Sequence, residues 1–303
     1  MGFTPQGIII PVVTPTDSRG NLDEAAYRRL IGYFAENGVH GIFPFGTTGE
    51  FYAFSNDTYR RMLEITREAA PSNMKVYAGA NHITTQGAAE LARIAESVGV
   101  DALSVLTPMF ISQTQEELVA YYRAIAASTS LPVILYNNKP KTNVHITPQT
   151  VAALAQVPNI VGVKDSTGDM TNTEEYIRLT RHLPDFHVLM GRDTLIYAAL
   201  CYGASGAIAS CANVAPGLAV EIYERFQAGD HRGALEAQFR LAQLRIATTV
   251  GTFPVVIKEA LRLIGYEAGD CIPPIAPLSP EERAKLAQVL QDIGLPARHG
   301  AKA

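Results

Sequence analysis

The 303 residues are 47% hydrophobic and 18% charged, with a formal net charge of −4 and a pI near 6.0. That balance predicts a water-soluble globular chain with enough length for a large core. It excludes a basic nucleic-acid-binding protein or a polybasic membrane-surface protein, and no apolar run is long enough to span a bilayer.

The opening "MGFTPQGIII" lacks the basic start and long apolar stretch of a secretion signal. It matches an N-myristoylation motif only loosely, because its sixth residue is Gln6. Cys201, Cys211 and Cys271 are odd in number and widely spaced, which points to a reducing, cytoplasmic setting. The seven histidines, from His40 to His299, make no H-x-x-x-H or H-E-x-x-H spacing, and nothing calls for a metal.

Apolar, β-branched runs predict strands at 7–13, 41–45, 75–80, 102–106, 132–136, 160–164, 187–191 and 206–210. Helical patterns lie between them. "DEAAYRRLIGYFAENG" (23–38) puts Ala26, Leu30, Tyr33 and Phe34 on one face and stops at Glu36-Asn37-Gly38. "TTQGAAELARIAESVG" (84–99) and "TQEELVAYYRAIAAS" (114–128) repeat the scheme, each opening at a capping threonine. Eight strand–helix units in about 210 residues predict an α/β fold, a closed (β/α)₈ TIM barrel, over 1–215. An open doubly wound sheet would share the local pattern; regular spacing favours closure. Beyond 215 only helical patterns follow, at 217–229, 231–250, 254–266 and 279–294, so 216–303 reads as a C-terminal helical appendage packed on the barrel.

In such a barrel the chemistry lies at the C-terminal ends of the strands. Strand 2 runs into "GTTGE" (46–50), strand 5 ends at Tyr136, and strand 6 ends at Lys164. Of the seven lysines only Lys164 closes an apolar strand. Burial there lowers an amine's pKa and frees a nucleophile for a carbonyl. The plain alternative is a structural lysine paired with Glu50 or Asp165, and position alone leaves both open. The "GTTGE" turn favours the first reading. Its glycines let backbone N–H groups and threonine hydroxyls face a concavity suited to a carboxylate. Glu50 is expected to satisfy its own turn or the next helix's N-terminus. Tyr136 is placed to move protons near an imine.

The ordered set "GTTGE", "TPMFISQTQEEL", "YNNKPKTN", "GVKDSTGD", "GASGAIASCANVAP" and "PVVIKEALRLIG" resembles the dihydrodipicolinate synthase / N-acetylneuraminate lyase family of class I aldolase-like lyases, over nearly the whole chain. The resemblance implies a carbon–carbon or carbon–oxygen lyase that forms a lysine imine with pyruvate or another 2-oxo acid. It implies no cofactor, and a homo-oligomer, usually a tetramer built as a dimer of dimers. Lys164 matches the imine lysine and Tyr136 the proton-shuttling tyrosine. Thr47 and Thr48, with Gly46 in the same turn, match the seat of the 2-oxo acid carboxylate, and Gly191 and Ile208 match positions around the bound acid. Two positions depart. Phe110 stands where dihydrodipicolinate-forming members carry a tyrosine that reaches into the neighbouring subunit's proton relay, and Lys141 where they carry an arginine fork for the second substrate's carboxylate. Both point away from dihydrodipicolinate synthesis and make Met109, Phe110, Asn138, Lys139 and Lys141 the expected walls of the distal pocket. The strand 5 segment also lacks the small-residue stretch of a sialic acid lyase. The competing readings are a 2-oxo acid binding protein on the same scaffold and, more remotely, a phosphosugar barrel using strands 7 and 8.

Overall fold

A computed structural model describes residues 3–295. Met1 and Gly2, where the acylation reading begins, and His299 and Lys302 lie outside them. Eight parallel strands close a barrel in sequential order: β1 (Gly7–Ile10), β2 (Gly41–Ile42), β3 (Lys75–Gly79), β4 (Ala102–Leu106), β5 (Val133–Asn137), β6 (Ile160–Asp165), β7 (His187–Met190) and β8 (Gly206–Ile208). Closure is made by β1 and β8, with Gly7 opposite Gly206 and Ile9 opposite Ile208. The predicted closed barrel is therefore the observed one; β1, β2, β3, β7 and β8 stop short of their apolar runs, β4 matches its run, β5 is shifted by one residue, and β6 runs one residue further, to Asp165.

Around it run α1 (Glu24–Glu36), α2 (Asn56–Ala69), α3 (Thr85–Val98), α4 (Gln115–Ala126), α5 (Lys139–Thr142), α6 (Pro148–Leu154), α7 (Met170–Thr180) and α8 (Ile196–Tyr202). The tail forms α9 (Pro216–Gln227), α10 (His231–Ala247), α11 (Val255–Leu263) and α12 (Pro280–Asp292). Starts follow the chemistry of the caps. Thr84 accepts from Gly87 N–H, and Thr114 forms a reciprocal capping box with Glu117. The stop after α1 is Asn37 and then Gly38, which takes φ +72°.

Strand alternation sorts side chains into two apolar layers. Ile9, Phe43, Tyr77, Ala102, Ile134, Val161, Leu189 and Ile208 fill the barrel interior, and the edge of Phe3 closes on Tyr77. Ile8, Ile10, Val163 and their counterparts face the helices. Leu241, Leu244, Ile257 and Leu261 of the tail share that outer cluster with Ile8 and Val12.

One irregularity decides where the chemistry points. Between β5 and β6 the register shifts: Val133 opposes Ile160, but Ile134 opposes Gly162. Val161 is the extra residue, a bulge that reverses the phase of the strand. Val161 faces inward, Val163 outward, and Lys164, paired with Tyr136 and with inward-facing Leu189, is aimed into the barrel.

Candidate active site

A cavity of about 450 Å³ opens at the C-terminal ends of the strands. Lys164 is 3% exposed. Its Nζ sits 3.9 Å from the centroid of the Tyr136 ring and 5.3 Å from that of Phe43, so two aromatic faces hold it. Among the described residues no carboxylate lies within ion-pair distance of it. Glu50 is 2.9 Å from Lys258 instead, and Asp165 accepts from Asn172, Thr173 and the Thr167 N–H. The structural-pair alternative for Lys164 thus loses both of its partners. Burial, first, pulls the Lys164 amine below the ordinary lysine range, and the proximity of Tyr136 and Asp193 opposes that only in part.

Tyr136 is equally buried. Its hydroxyl lies 3.2 Å from Thr47 Oγ1 and accepts from Asn138 Nδ2 at 2.9 Å. Burial pushes the phenol up, but the adjacent Lys164 charge and the contacts with Thr47 and Asn138 outweigh it and hold the group below its usual range. A phenol held this way, beside an amine whose pKa burial lowers, is placed to give and take protons at one address.

The "GTTGE" stretch is a 3₁₀ turn over Thr47–Gly49 that starts from Gly46. Gly49 and Glu50 N–H groups close onto Gly46 and Thr47 carbonyls, which leaves the leading Thr47 and Thr48 N–H groups without an acceptor inside the turn. Both threonines line the cavity. Glu50 closes the turn in the left-handed region, φ +52° and ψ +42°, with its carboxylate fully buried. Oε2 accepts from Ile272 N–H at 2.8 Å, and Oε1 lies beside Lys258 Nζ outside hydrogen-bonding geometry. Glu50 is thus neither an acid nor a cap for the next helix; it anchors the turn to α11 and the segment that follows.

Gly191 and Ile208 line the cavity as expected. A Cβ on Gly191 would stand 2.0 Å from Ser166 Oγ and 2.8 Å from the Asp165 carbonyl oxygen, so only glycine fits there. Lys141 and Asn138 also line it, Lys141 with Nζ 5.7 Å from the Phe253 ring centroid. Gly46 stands behind the lining as the start of the turn.

The expected apolar wall is not there. Phe110 is 89% exposed, on the loop after β4 at φ +76°, and does not line this cavity. Met109 faces a separate cavity of about 310 Å³ near Phe51 and Tyr59, and Lys139 is exposed on α5. In place of Met109 and Phe110, the distal wall is Arg192, directly after β7, and Arg245 with the Thr248–Phe253 connection between α10 and α11. Arg192 carried the same strand-end signal as Lys164, one residue beyond Gly191. Arg245 lies mid-pattern on a tail helix and carried none.

A closed parallel barrel with a buried lysine and tyrosine in contact at its C-terminal face defines a barrel enzyme. The sequence matches the Dihydrodipicolinate synthetase family over residues 4–293, and the chain belongs to that family of lyases. It is 36% identical over 290 residues to the 4-hydroxy-tetrahydrodipicolinate synthase of Thermodesulfovibrio yellowstonii, covering 96% of this chain and 99% of that protein. Identity to the synthase of Methanopyrus kandleri is 36% over 297 residues, covering 97% and 98%. Among solved structures, dihydrodipicolinate synthase from Thermotoga maritima superposes with TM-score 0.93 at 32% identity, covering 96% of this chain and 99% of that one. A prophage protein of the family from E. coli K12, in complex with pyruvate, superposes with TM-score 0.92 at 30% identity, covering 96% and 99%. The curated relatives carry the synthase name, so the expectation drawn from Phe110 and Lys141, that this chain departs from dihydrodipicolinate synthesis, finds no support among them.

Proposed function

We propose that this enzyme forms a Schiff base between Lys164 and pyruvate or another 2-oxo acid. The carrying observation is a buried amine stacked on Tyr136 with no carboxylate among the described residues within ion-pair distance. The pyruvate complex of the E. coli K12 relative supports the choice of acid. The neutral Lys164 Nζ adds to the C2 carbonyl, and the carbinolamine loses water to give an iminium that withdraws electrons from C3. Loss of a C3 substituent or proton leaves an enamine; protonation at C3 and hydrolysis restore the lysine. Tyr136 carries the protons, with Thr47 holding its hydroxyl, and the Thr47–Thr48 turn seats the carboxylate. Aldol cleavage or condensation, dehydration and decarboxylation all share this route. An assembly of identical subunits, a tetramer of two dimers, belongs to the same reading, supported by exposed Ile83, Phe110 and Ile111.

Borohydride reduction in the presence of pyruvate is expected to add covalent mass to Lys164. Label on Lys139 or Lys141 instead would reject the assignment. A 2-oxo acid binding protein would give the same label, so release of product over many cycles, from a panel of 2-oxo acids and hydroxylated sugar acids, separates enzyme from binder.

A further inference from the structure

Two asparagines follow Tyr136, and they do different things. Asn137 is spent within the protein: its Nδ2 donates to the Tyr176 hydroxyl at 2.8 Å and its Oδ1 accepts from Ile146 N–H at 3.2 Å. Asn138 lines the cavity, 7% exposed, and its Nδ2 donates to the Tyr136 hydroxyl oxygen at 2.9 Å. Asn138 also stands at the N-cap of α5, where an asparagine side chain ordinarily satisfies a helix N–H. Here it makes no such bond. The backbone is held without it: the Asn138 carbonyl accepts from Lys141 N–H at 2.9 Å, from Thr142 N–H at 3.1 Å and from the Thr142 hydroxyl at 3.2 Å. Helix capping therefore does not account for the side chain.

The Tyr136 oxygen has three supports, and only one is constant. Any charge on Lys164 is gone when the amine attacks a carbonyl. Thr47 Oγ1, at 3.2 Å, can donate to the phenol oxygen or accept from it. The amide nitrogen of Asn138 can only donate. Such a bond strengthens when its acceptor becomes anionic, so it favours phenolate over phenol at every stage. Burial works against the phenolate; the Lys164 charge, then Thr47 and Asn138, work for it. The other charged side chains lining this space are Lys141 from α5, Arg192 beyond β7 and Arg245 from α10, with Asp193 buried behind Arg245. Among the described residues no aspartate or glutamate lines it.

We propose that Asn138 is a positioning residue for proton transfer: its amide fixes the Tyr136 oxygen and readies it as the base that takes a proton from C3 of the imine. In that step the C3–H bond breaks and its proton passes to the phenolate oxygen. The electron pair moves through C2 to the imine nitrogen, giving enamine and phenol. This inference rests on the Schiff-base reading, since C3 is made acidic by the iminium.

The test titrates Tyr136 directly by nuclear magnetic resonance. With the tyrosine Cζ isotopically labelled, the Tyr136 resonance is identified by its loss in Tyr136→Phe. Asn138→Leu, close in size and without a donor, should raise the pH at which that resonance titrates by about 0.5–1. Asn138→Asp, of the same shape but with no N–H and a negative charge, should raise it further. Deuteration of the pyruvate methyl group in deuterium oxide reports enamine formation. The rising limb of its pH profile should move up in both variants, while borohydride trapping is retained. An unmoved Tyr136 titration in both variants would overturn the assignment, as would a downward shift in Asn138→Asp. Asn138→Ala reads the same shift without bulk or charge, should either variant fail to fold. The Schiff-base reading fails separately. If pyruvate labels no lysine in wild type while the Tyr136 titration still depends on Asn138, the hold on the phenol stands and the imine falls.

Discussion

Lys164 and Tyr136 act as a pair because each changes what the other is. The burial around Lys164 favours the free amine, the neighbouring Tyr136 opposes it in part, and the lysine's charge in turn lowers the phenol. Imine formation requires the neutral amine, which is present above the Lys164 pKa and scarce below it. Because that pKa is lowered, the trapping rate with pyruvate should rise with pH and level off below the ordinary lysine value of 10.5. A plateau reached only above that value would show that burial does not tune Lys164. Tyr136→Phe keeps the ring under the amine and removes the hydroxyl proposed to carry protons. Turnover should fall by roughly 10²–10⁴, with trapping at least partly intact. Turnover equal to wild type would take Tyr136 out of the mechanism. Both residues were legible in the sequence, because a charged or phenolic group at the end of an apolar strand conflicts with burial unless it has work there. The partners of Glu50 were not legible, since an ion pair between positions 50 and 258 leaves no local pattern.

At the scale of elements, two small features govern the site. The first is the β6 bulge. Strict alternation through "IVGVK" would put Val161 and Lys164 on opposite faces, yet both point inward. The strand and its terminal lysine could be read from the sequence; the inserted residue that aims the lysine could not, because apolar residues on both sides of a barrel strand erase the period of two. Arg245 was hidden for a related reason: a charged residue on an amphipathic helix ordinarily marks the solvated face. The second feature is the buried link from the carboxylate turn to α11. Lys258→Met should leave Glu50 buried and unpaired, lowering unfolding free energy by about 3–5 kcal/mol as read by urea denaturation. A loss below about 1 kcal/mol would mean the pair contributes little. Weaker pyruvate trapping in the same variant is the expected companion effect, since the turn carries Thr47 and Thr48.

For the whole molecule, barrel and tail share one outer core and one cavity. Leu241, Leu244, Ile257 and Leu261 bury against the same cluster as β1, and Arg245 and Phe253 close the mouth of the site. A chain cut after 215 would expose that cluster to water and strip the distal wall. It is expected to show no cooperative thermal transition, and differential scanning calorimetry that found one near the full-length value would refute this. A 2-oxo acid that binds only the folded chain should raise the transition temperature of the intact protein in a concentration-dependent way.

The ion pair at Glu50 also sets an order in time. Ile272, which donates to Glu50, lies 222 residues further along the chain. At ~5–20 residues per second, synthesis reaches it roughly 10–45 s after Glu50 itself has been added. Throughout that interval a growing chain has its strand-end lysine and its threonines made, but the glutamate that closes their turn lacks both its counter-charge and its amide. Chains arrested on the ribosome short of Lys258 are therefore expected to take no borohydride label from pyruvate. With this wiring, the turn that carries Thr47 and Thr48 gains its anchor only while the last quarter of the chain is being made.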